Sequence, residues 1–337
     1  MTRALELATT PGVPLGPNPR VGCVLLAPDG TTLAEGFHRG SGTPHAEADA
    51  LSRAGERARG STAVVTLEPC DHTGRTGPCS RALLAAGVAR VVFAQSDPNP
   101  VAQGGAATLR RAGVDVEVGL LADAARAVNR AWSFAVAHQR PLVTWKLAST
   151  LDGRSAAADG TSRWISSAPS RRDSQRLRAA CDSILVGTGT VLVDDPRLTA
   201  RDSDGVDLPR DRQLLRAVMG LRAVPAGSRV LDDAADTVLL RTHDPHEALA
   251  ELFARERRHL LLEGGPTLAA AFLDAGLVDE VVAYVAPVLL GAGVPAVGDL
   301  GVSTIADALR LDLLDATTIG TGPETNLRLT LTAPRKD

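Results

Sequence analysis

Apolar runs of strand length alternate with Ala-, Leu- and Arg-rich stretches of helical period along nearly the whole chain. That alternation restricts the fold more than any other feature. Runs at 20–27, 63–67, 90–94, 142–148, 183–186, 237–240, 259–262 and 280–286 are predicted strands, and 46–58, 79–86, 106–112, 123–137, 167–179, 245–257 and 266–275 are predicted helices. Strands separated by helices pair mostly in parallel and need helices to cover them, so the class is α/β. The end differs: 311–318 and 326–332, joined by Gly320-Thr321-Gly322-Pro323, read as an antiparallel hairpin. The stretch 202–227 carries charge, Pro and Gly with weak periodicity and reads as a surface excursion.

A chain of 337 residues corresponds to about two domains. The helix predicted to end at Ala137 runs into His138-Gln139-Arg140-Pro141, and proline stops it. The expected domains are therefore 1–139 and 140–337. A net charge of −3, no basic block and 3% aromatic residues argue against nucleic-acid binding, which needs phosphate-neutralising and base-stacking side chains. No run of apolar residues is long enough to span a membrane. Four cysteines are too few for a disulfide scaffold, and Met1-Thr2-Arg3-Ala4-Leu5-Glu6 lacks a signal-peptide core. A cytoplasmic protein with reduced thiols is expected.

Two segments of the first half carry chemistry: Pro44-His45-Ala46-Glu47, and Glu68-Pro69-Cys70 followed by Cys79. One imidazole and two thiolates suit zinc, and three protein ligands leave a fourth position for water, as catalytic zinc requires. Glu47, two residues from His45 at a helix start, is placed to move that water's proton. The pattern H-x-E followed by P-C-x-x-C marks zinc nucleobase deaminases. Here eight residues instead of two separate the cysteines. His72, between them, could complete a purely structural zinc site. The insert Asp71-His72-Thr73-Gly74-Arg75-Thr76-Gly77-Pro78 is polar and cationic, which suits a phosphorylated substrate. Cys23 and Cys181 read as core thiols.

Asn18-Pro19-Arg20-Val21-Gly22-Cys23-Val24, Pro44-His45-Ala46-Glu47, Asp97-Pro98-Asn99-Pro100 and the whole run from Thr66 to Cys79 resemble the deaminase half of the bifunctional riboflavin-biosynthesis deaminase–reductases. The resemblance implies a cytidine-deaminase-like α/β/α domain acting on a 2,5-diamino-6-ribosylamino-pyrimidinone 5′-phosphate. It implies His45, Cys70 and Cys79 as zinc ligands, Glu47 as proton shuttle, and Asn18, His38, His72 and Arg75 as substrate contacts.

In the second half, Gly187-Thr188-Gly189-Thr190-Val191 follows a strand but lacks the last glycine of a dinucleotide fingerprint. Glu263-Gly264-Gly265-Pro266-Thr267-Leu268 is a strand end, a glycine turn and a helix start that could hold a pyrophosphate. Each could also be a plain tight turn. Lys146-Leu147-Ala148-Ser149-Thr150-Leu151-Asp152-Gly153-Arg154, Trp164-Ile165-Ser166-Ser167, the run from Asp194 to Arg201 and the Glu263 segment are similar to the reductase half of the same family. That implies a dihydrofolate-reductase-like α/β domain that uses NADPH to reduce the ribosyl group to a ribityl chain. The implied NADP contacts are Ala148, Trp164, Thr190, Asp194, Gly265, Pro266, Thr267, Leu268, Ala269, Ala270 and Ala271. The implied substrate contacts are Ser162, Arg178, Leu198, Arg201 and Glu263, the two guanidiniums suiting a phosphate. A homodimer is the implied assembly.

Two further features belong to this chain. Where the family has an apolar strand ending in Asp-Ser, this sequence reads Val218-Met219-Gly220-Leu221-Arg222, so the serine hydroxyl that would touch the cofactor is missing. Of 36 cations only Lys146 and Lys336 are lysines. A partly desolvated ammonium can give up a proton and a guanidinium cannot, so Lys146 is the candidate proton donor for the reduction. A lysine stem covering the strand edge is the structural alternative. A deaminase carrying a degenerate ligand-binding module, and a nucleic-acid base editor, are the competing function classes.

Overall fold

The computed structural model describes residues 1–73 and 77–332. It divides into two compact units, Met1–Gln139 and Arg140–Asp337.

The first unit contains, in order, α1 (Thr2–Ala8), β1 (Gly22–Leu26), β2 (Thr32–Phe37), α2 (Ala46–Ala54), β3 (Thr62–Leu67), α3 (Cys79–Ala85), β4 (Arg90–Gln95), α4 (Gly105–Arg111), β5 (Asp115–Val118), α5 (Ala122–Val128) and α6 (Arg130–His138). Its sheet has the order β2-β1-β3-β4-β5. β1 is antiparallel to both neighbours, and β3, β4 and β5 run parallel. Side chains of β1 point alternately to two cores, as strand geometry requires. Cys23 and Leu25 join Ala46, Ala50 and Ala54 of α2 on one face, while Val24 joins Ala4 and Leu7 of α1 on the other. The three alanines recur every four residues and form one helix face. The result is the expected α/β/α sandwich.

The second unit contains β6 (Leu142–Thr150), β7 (Arg154–Ala156), α7 (Ala168–Ala179), β8 (Ser183–Gly187), α8 (Thr188–Asp194), β9 (Leu215–Met219), β10 (Thr237–Leu240), α9 (Pro245–Ala254), β11 (His259–Leu262), α10 (Pro266–Asp274), β12 (Glu280–Ala286), β13 (Val294–Pro295), β14 (Asp312–Ile319) and β15 (Asn326–Thr332). An eight-stranded sheet runs β10-β9-β8-β11-β6-β12-β15-β14. Its first six strands are parallel, and the closing hairpin β14–β15 adds to β12 in antiparallel sense. The chain steps outward from β8 through β9 to β10, then returns to place β11 on the other side of β8. Such a reversal leaves a crevice at the carboxyl ends of the strands, the usual ligand position in open α/β sheets.

The stretch expected to be a surface excursion instead holds β9, a strand buried at every residue between β8 and β10. Arg216 interrupts its apolar run and hides it. The guanidinium is 0% exposed; inside the fold Asp232 Oδ1 neutralises it at 2.8 Å and Thr237 Oγ1 accepts a hydrogen bond from its Nε at 2.9 Å. The expected helix at 123–137 is two helices, α5 and α6, separated at Asn129. Cys23 and Cys181 are buried.

Candidate active sites

In the first unit the zinc-type ligands converge. His45 is the extended residue that opens α2, Cys70 follows β3, and Cys79 opens α3. His45 Nδ1 lies 3.6 Å from Cys70 Sγ and 3.3 Å from Cys79 Sγ. The three donor atoms all fall within 4.8 Å of one another. Ligands at zinc bond lengths on a tetrahedron would be about 3.6 Å apart for N and S, so the donors fit the metal. The hydrogen bond from Cys79 holds the Cys70 thiol well below the usual thiol range, whereas Cys70 raises both Cys79 and His45, so a metal binding here displaces their protons. Glu47, in the first turn of α2, is 4% exposed, and burial pushes its carboxyl up to about 7.

The predicted substrate residues Asn18 and His38 stand beside this cluster. The His38 and His45 rings meet edge to face at 5.5 Å. His38 Nδ1 is 3.0 Å from the Pro44 carbonyl, which can only accept, so Nδ1 carries the hydrogen. Nε2 is then free to accept from Asn18 Nδ2 at 3.0 Å. Burial lowers the His38 pKa and favours this neutral form. His72 Nδ1 is buried with no hydrogen-bond partner among the described residues. Arg75 lies outside the described residues.

Three anchors that the sequence reading missed hold this site. The Glu68 carboxylate accepts from the backbone N–H groups of Asp97, Gly104 and Ala106, tying the Cys70 turn to the start of α4. A Cβ on Gly105 would lie 1.7 Å from the Pro69 carbonyl oxygen, so only glycine permits that approach. Asn129, at the break between α5 and α6, donates to the Arg20 carbonyl and accepts from its N–H at 2.9 and 2.8 Å, which fixes the Asn18 segment. An asparagine interrupting a helical pattern was the available signal.

In the second unit a cavity of about 1030 Å³ opens at the carboxyl ends of the parallel strands. Of the predicted residues, Lys146, Ala148, Ser162, Trp164, Thr190, Asp194, Glu263, Gly265, Pro266, Thr267, Leu268 and Ala271 line it. Lys146 and Glu263 stand level, because Leu262 pairs with Trp145 across β11 and β6. Burial lowers the Lys146 pKa, partly opposed by the charge of Glu263. The indole of Trp164 is exposed and stacked 4.3 Å from the Arg171 guanidinium.

Four expected contacts of this unit are elsewhere, and Arg178 is already engaged. Ala269 and Ala270 are buried on the opposite side of α10 from Leu268 and Ala271, as helical periodicity dictates. Leu198 packs in an apolar cluster with Val191 and Ala200. Arg201 Nε donates to Asp207 Oδ1 at 3.0 Å. Arg178 grips both oxygens of Glu263 at 2.7 and 2.8 Å and donates to the Thr199 carbonyl at 3.1 Å. As folded, its guanidinium positions Glu263 and has little left for a phosphate.

Comparison with known proteins decides the family. A family model for the cytidine and deoxycytidylate deaminase zinc-binding region matches residues 1–95, and one for the RibD C-terminal domain matches 141–323. The riboflavin biosynthesis protein RibD of Mycobacterium tuberculosis is 52% identical over 295 residues, covering 87% of this chain and 86% of that protein. The Escherichia coli RibD is 42% identical, with 91% and 92% covered. The chain belongs to the RibD family. Among solved RibD structures, that of Acinetobacter baumannii superposes with a TM-score of 0.88 at 37% identity, covering 99% of this chain and 98% of that one. A diaminohydroxyphosphoribosylaminopyrimidine deaminase/5-amino-6-(5-phosphoribosylamino)uracil reductase from Thermotoga maritima superposes at 0.86 with 30% identity, covering 99% and 97%. As a RibD, this chain is a bifunctional enzyme of riboflavin biosynthesis, a hydrolase and an oxidoreductase that uses zinc and NADPH. No helix of the described residues is long and apolar enough to cross a membrane.

Proposed function

We propose that the first unit hydrolytically deaminates 2,5-diamino-6-ribosylamino-4(3H)-pyrimidinone 5′-phosphate. The second then reduces the ribosyl group of the product to a ribityl chain. The observation that carries the reading is the His45, Cys70 and Cys79 cluster with a buried Glu47 beside it. Zinc held by those three residues would supply a water made nucleophilic at neutral pH. Glu47 accepts the proton of the attacking water and delivers it to the departing amine. Asn18 and His38 present an amide and a neutral imidazole to the pyrimidine, and His72 and Arg75 of the cationic insert bind its phosphate.

In the second unit Ala148, Trp164, Thr190, Asp194, Gly265, Pro266, Thr267, Leu268 and Ala271 would hold NADPH, which would supply a hydride to the sugar carbon. Lys146 delivers the accompanying proton. Burial that favours its neutral form makes an ammonium there a willing donor. Ser162 and Glu263 orient the sugar, and Arg178 holds Glu263 in place. Arg201 reaches the substrate phosphate only by exchanging Asp207 for it.

The test is the purified full chain with the diamino-pyrimidine phosphate, followed by mass spectrometry. Replacement of an amino group by oxygen is expected without NADPH, and two further hydrogens with it. Absence of the first change refutes the deaminase assignment, and absence of the second refutes the reductase assignment. We further propose that the enzyme works in the cytoplasm as a homodimer. Leu313 and Leu314, each 59% exposed on edge strand β14, supply an uncovered apolar face, and sedimentation velocity would detect the dimer.

A further inference from the structure

The cavity of the second unit has a second cationic end, remote from Lys146. Beyond β9 the chain turns at Gly220, and Arg222 follows; beyond β10 comes His243. Both line the cavity. A Cβ on Gly189 would lie 3.0 Å from Arg222 Nη2, so the guanidinium rests over the turn that opens α8. Arg222 is exposed, and its side chain has no hydrogen-bond or ion-pair partner among the described residues. Its backbone, by contrast, is fixed. Arg241 Nη1 donates to the Arg222 carbonyl at 2.9 Å and to the Leu221 carbonyl at 3.4 Å. Gly220 has φ of +135°, and a Cβ there would meet Thr188 Oγ1 at 2.8 Å, so this turn admits only glycine. The structure thus holds an unpaired guanidinium on a rigid loop, aimed into a cavity of dinucleotide size.

Where an acidic side chain follows such a strand it receives a ribose 2′-hydroxyl, whereas an arginine receives a 2′-phosphate. The acidic groups lining this cavity are Asp194, at the far end of α8, and Glu263, which Arg178 already grips. β9 and β6 are three strand spacings apart, about 14 Å, with Lys146 at one end and Arg222 at the other. That separation suits the two ends of an extended dinucleotide.

We propose that Arg222, seconded by His243, binds the 2′-phosphate of the adenine ribose and makes this reductase select NADPH over NADH. The inference rests on the reading of this cavity as the cofactor site. The planar guanidinium offers two parallel donors to two phosphate oxygens.

The experiment uses the full chain and two probes that differ only in that group, adenosine 2′,5′-bisphosphate and adenosine 5′-monophosphate, with affinities read by titration calorimetry. Wild type is expected to prefer the bisphosphate. Arg222→Ala should weaken bisphosphate binding by about ten- to a hundredfold, the worth of a charge-assisted contact, and leave the monophosphate within about twofold. Arg222→Lys should fall between, and His243→Ala should lose a smaller part of the preference. An undiminished preference in Arg222→Ala overturns the assignment while leaving the cavity as the cofactor site. Failure of wild type to bind either probe overturns both readings.

Discussion

Arg178 and Glu263 make a prediction whose size follows from their surroundings. The two side chains are 16% and 10% exposed and joined by two parallel hydrogen bonds. The guanidinium, with a smaller contribution from Lys146, outweighs burial and holds the Glu263 carboxyl at about 2 instead of its ordinary 4.5. That difference corresponds to about 3 kcal/mol of folded-state stabilisation. Because the folded value lies below the unfolded one, the contribution is complete above about pH 4.5 and disappears as pH falls through about 2. Arg178→Met should therefore cost about 3–5 kcal/mol at pH 7, since it strands a buried carboxylate. It should also flatten the acid-side loss of stability. Arg178→Met with Glu263→Leu should recover a large part of the cost, because a buried pair exchanged for apolar groups is often close to neutral. The assay is urea unfolding followed by tryptophan fluorescence in a Trp132→Phe background, where Trp145 and Trp164 report the second unit alone. A cost of about 1 kcal/mol or less, the worth of an exposed pair, would refute the argument. So would a double variant no more stable than the single one.

Three further outcomes are expected. Cys79→Ser should lose most of its zinc by elemental analysis, and unchanged content would remove Cys79 from the ligand set. Glu47→Gln should keep zinc and lose deamination by about a hundredfold or more, because an amide cannot carry the proton. Near-normal turnover would leave Glu47 a helix-start residue. Lys146→Arg should depress the rate of reduction by about a hundredfold with NADPH affinity nearly kept, and an undiminished rate would end the proton-donor role.

What could be read from the sequence was local. The strands 237–240, 259–262 and 280–286 coincide with β10, β11 and β12 because their apolar runs are unbroken. The clustering of His45, Cys70 and Cys79 was recognisable because residue type and spacing alone point to a metal. What escaped was decided by partners far away in the chain. β9 escaped because Arg216 needs Asp232 and Thr237 to become a core residue. Glu68 and Asn129 acquire their roles only when the fold brings up residues 97–106 and Arg20. The face of α10 turned to the cavity, and the pairing that occupies Arg178, depend on packing that no window of sequence contains.

The turn carrying Cys70 is sewn to the start of α3. Ser80 N–H donates to the Cys70 carbonyl at 3.1 Å, Cys79 N–H to Cys70 Sγ at 3.4 Å, and the Ser80 hydroxyl to Asp71. Both metal-binding thiols therefore keep their places whatever length of chain runs between them. Enlarging that loop from two residues to eight costs only about 1 kcal/mol of closure entropy. In an enzyme built this way the loop is free to lengthen and acquire cations while the arrangement of donor atoms beneath it is inherited unchanged.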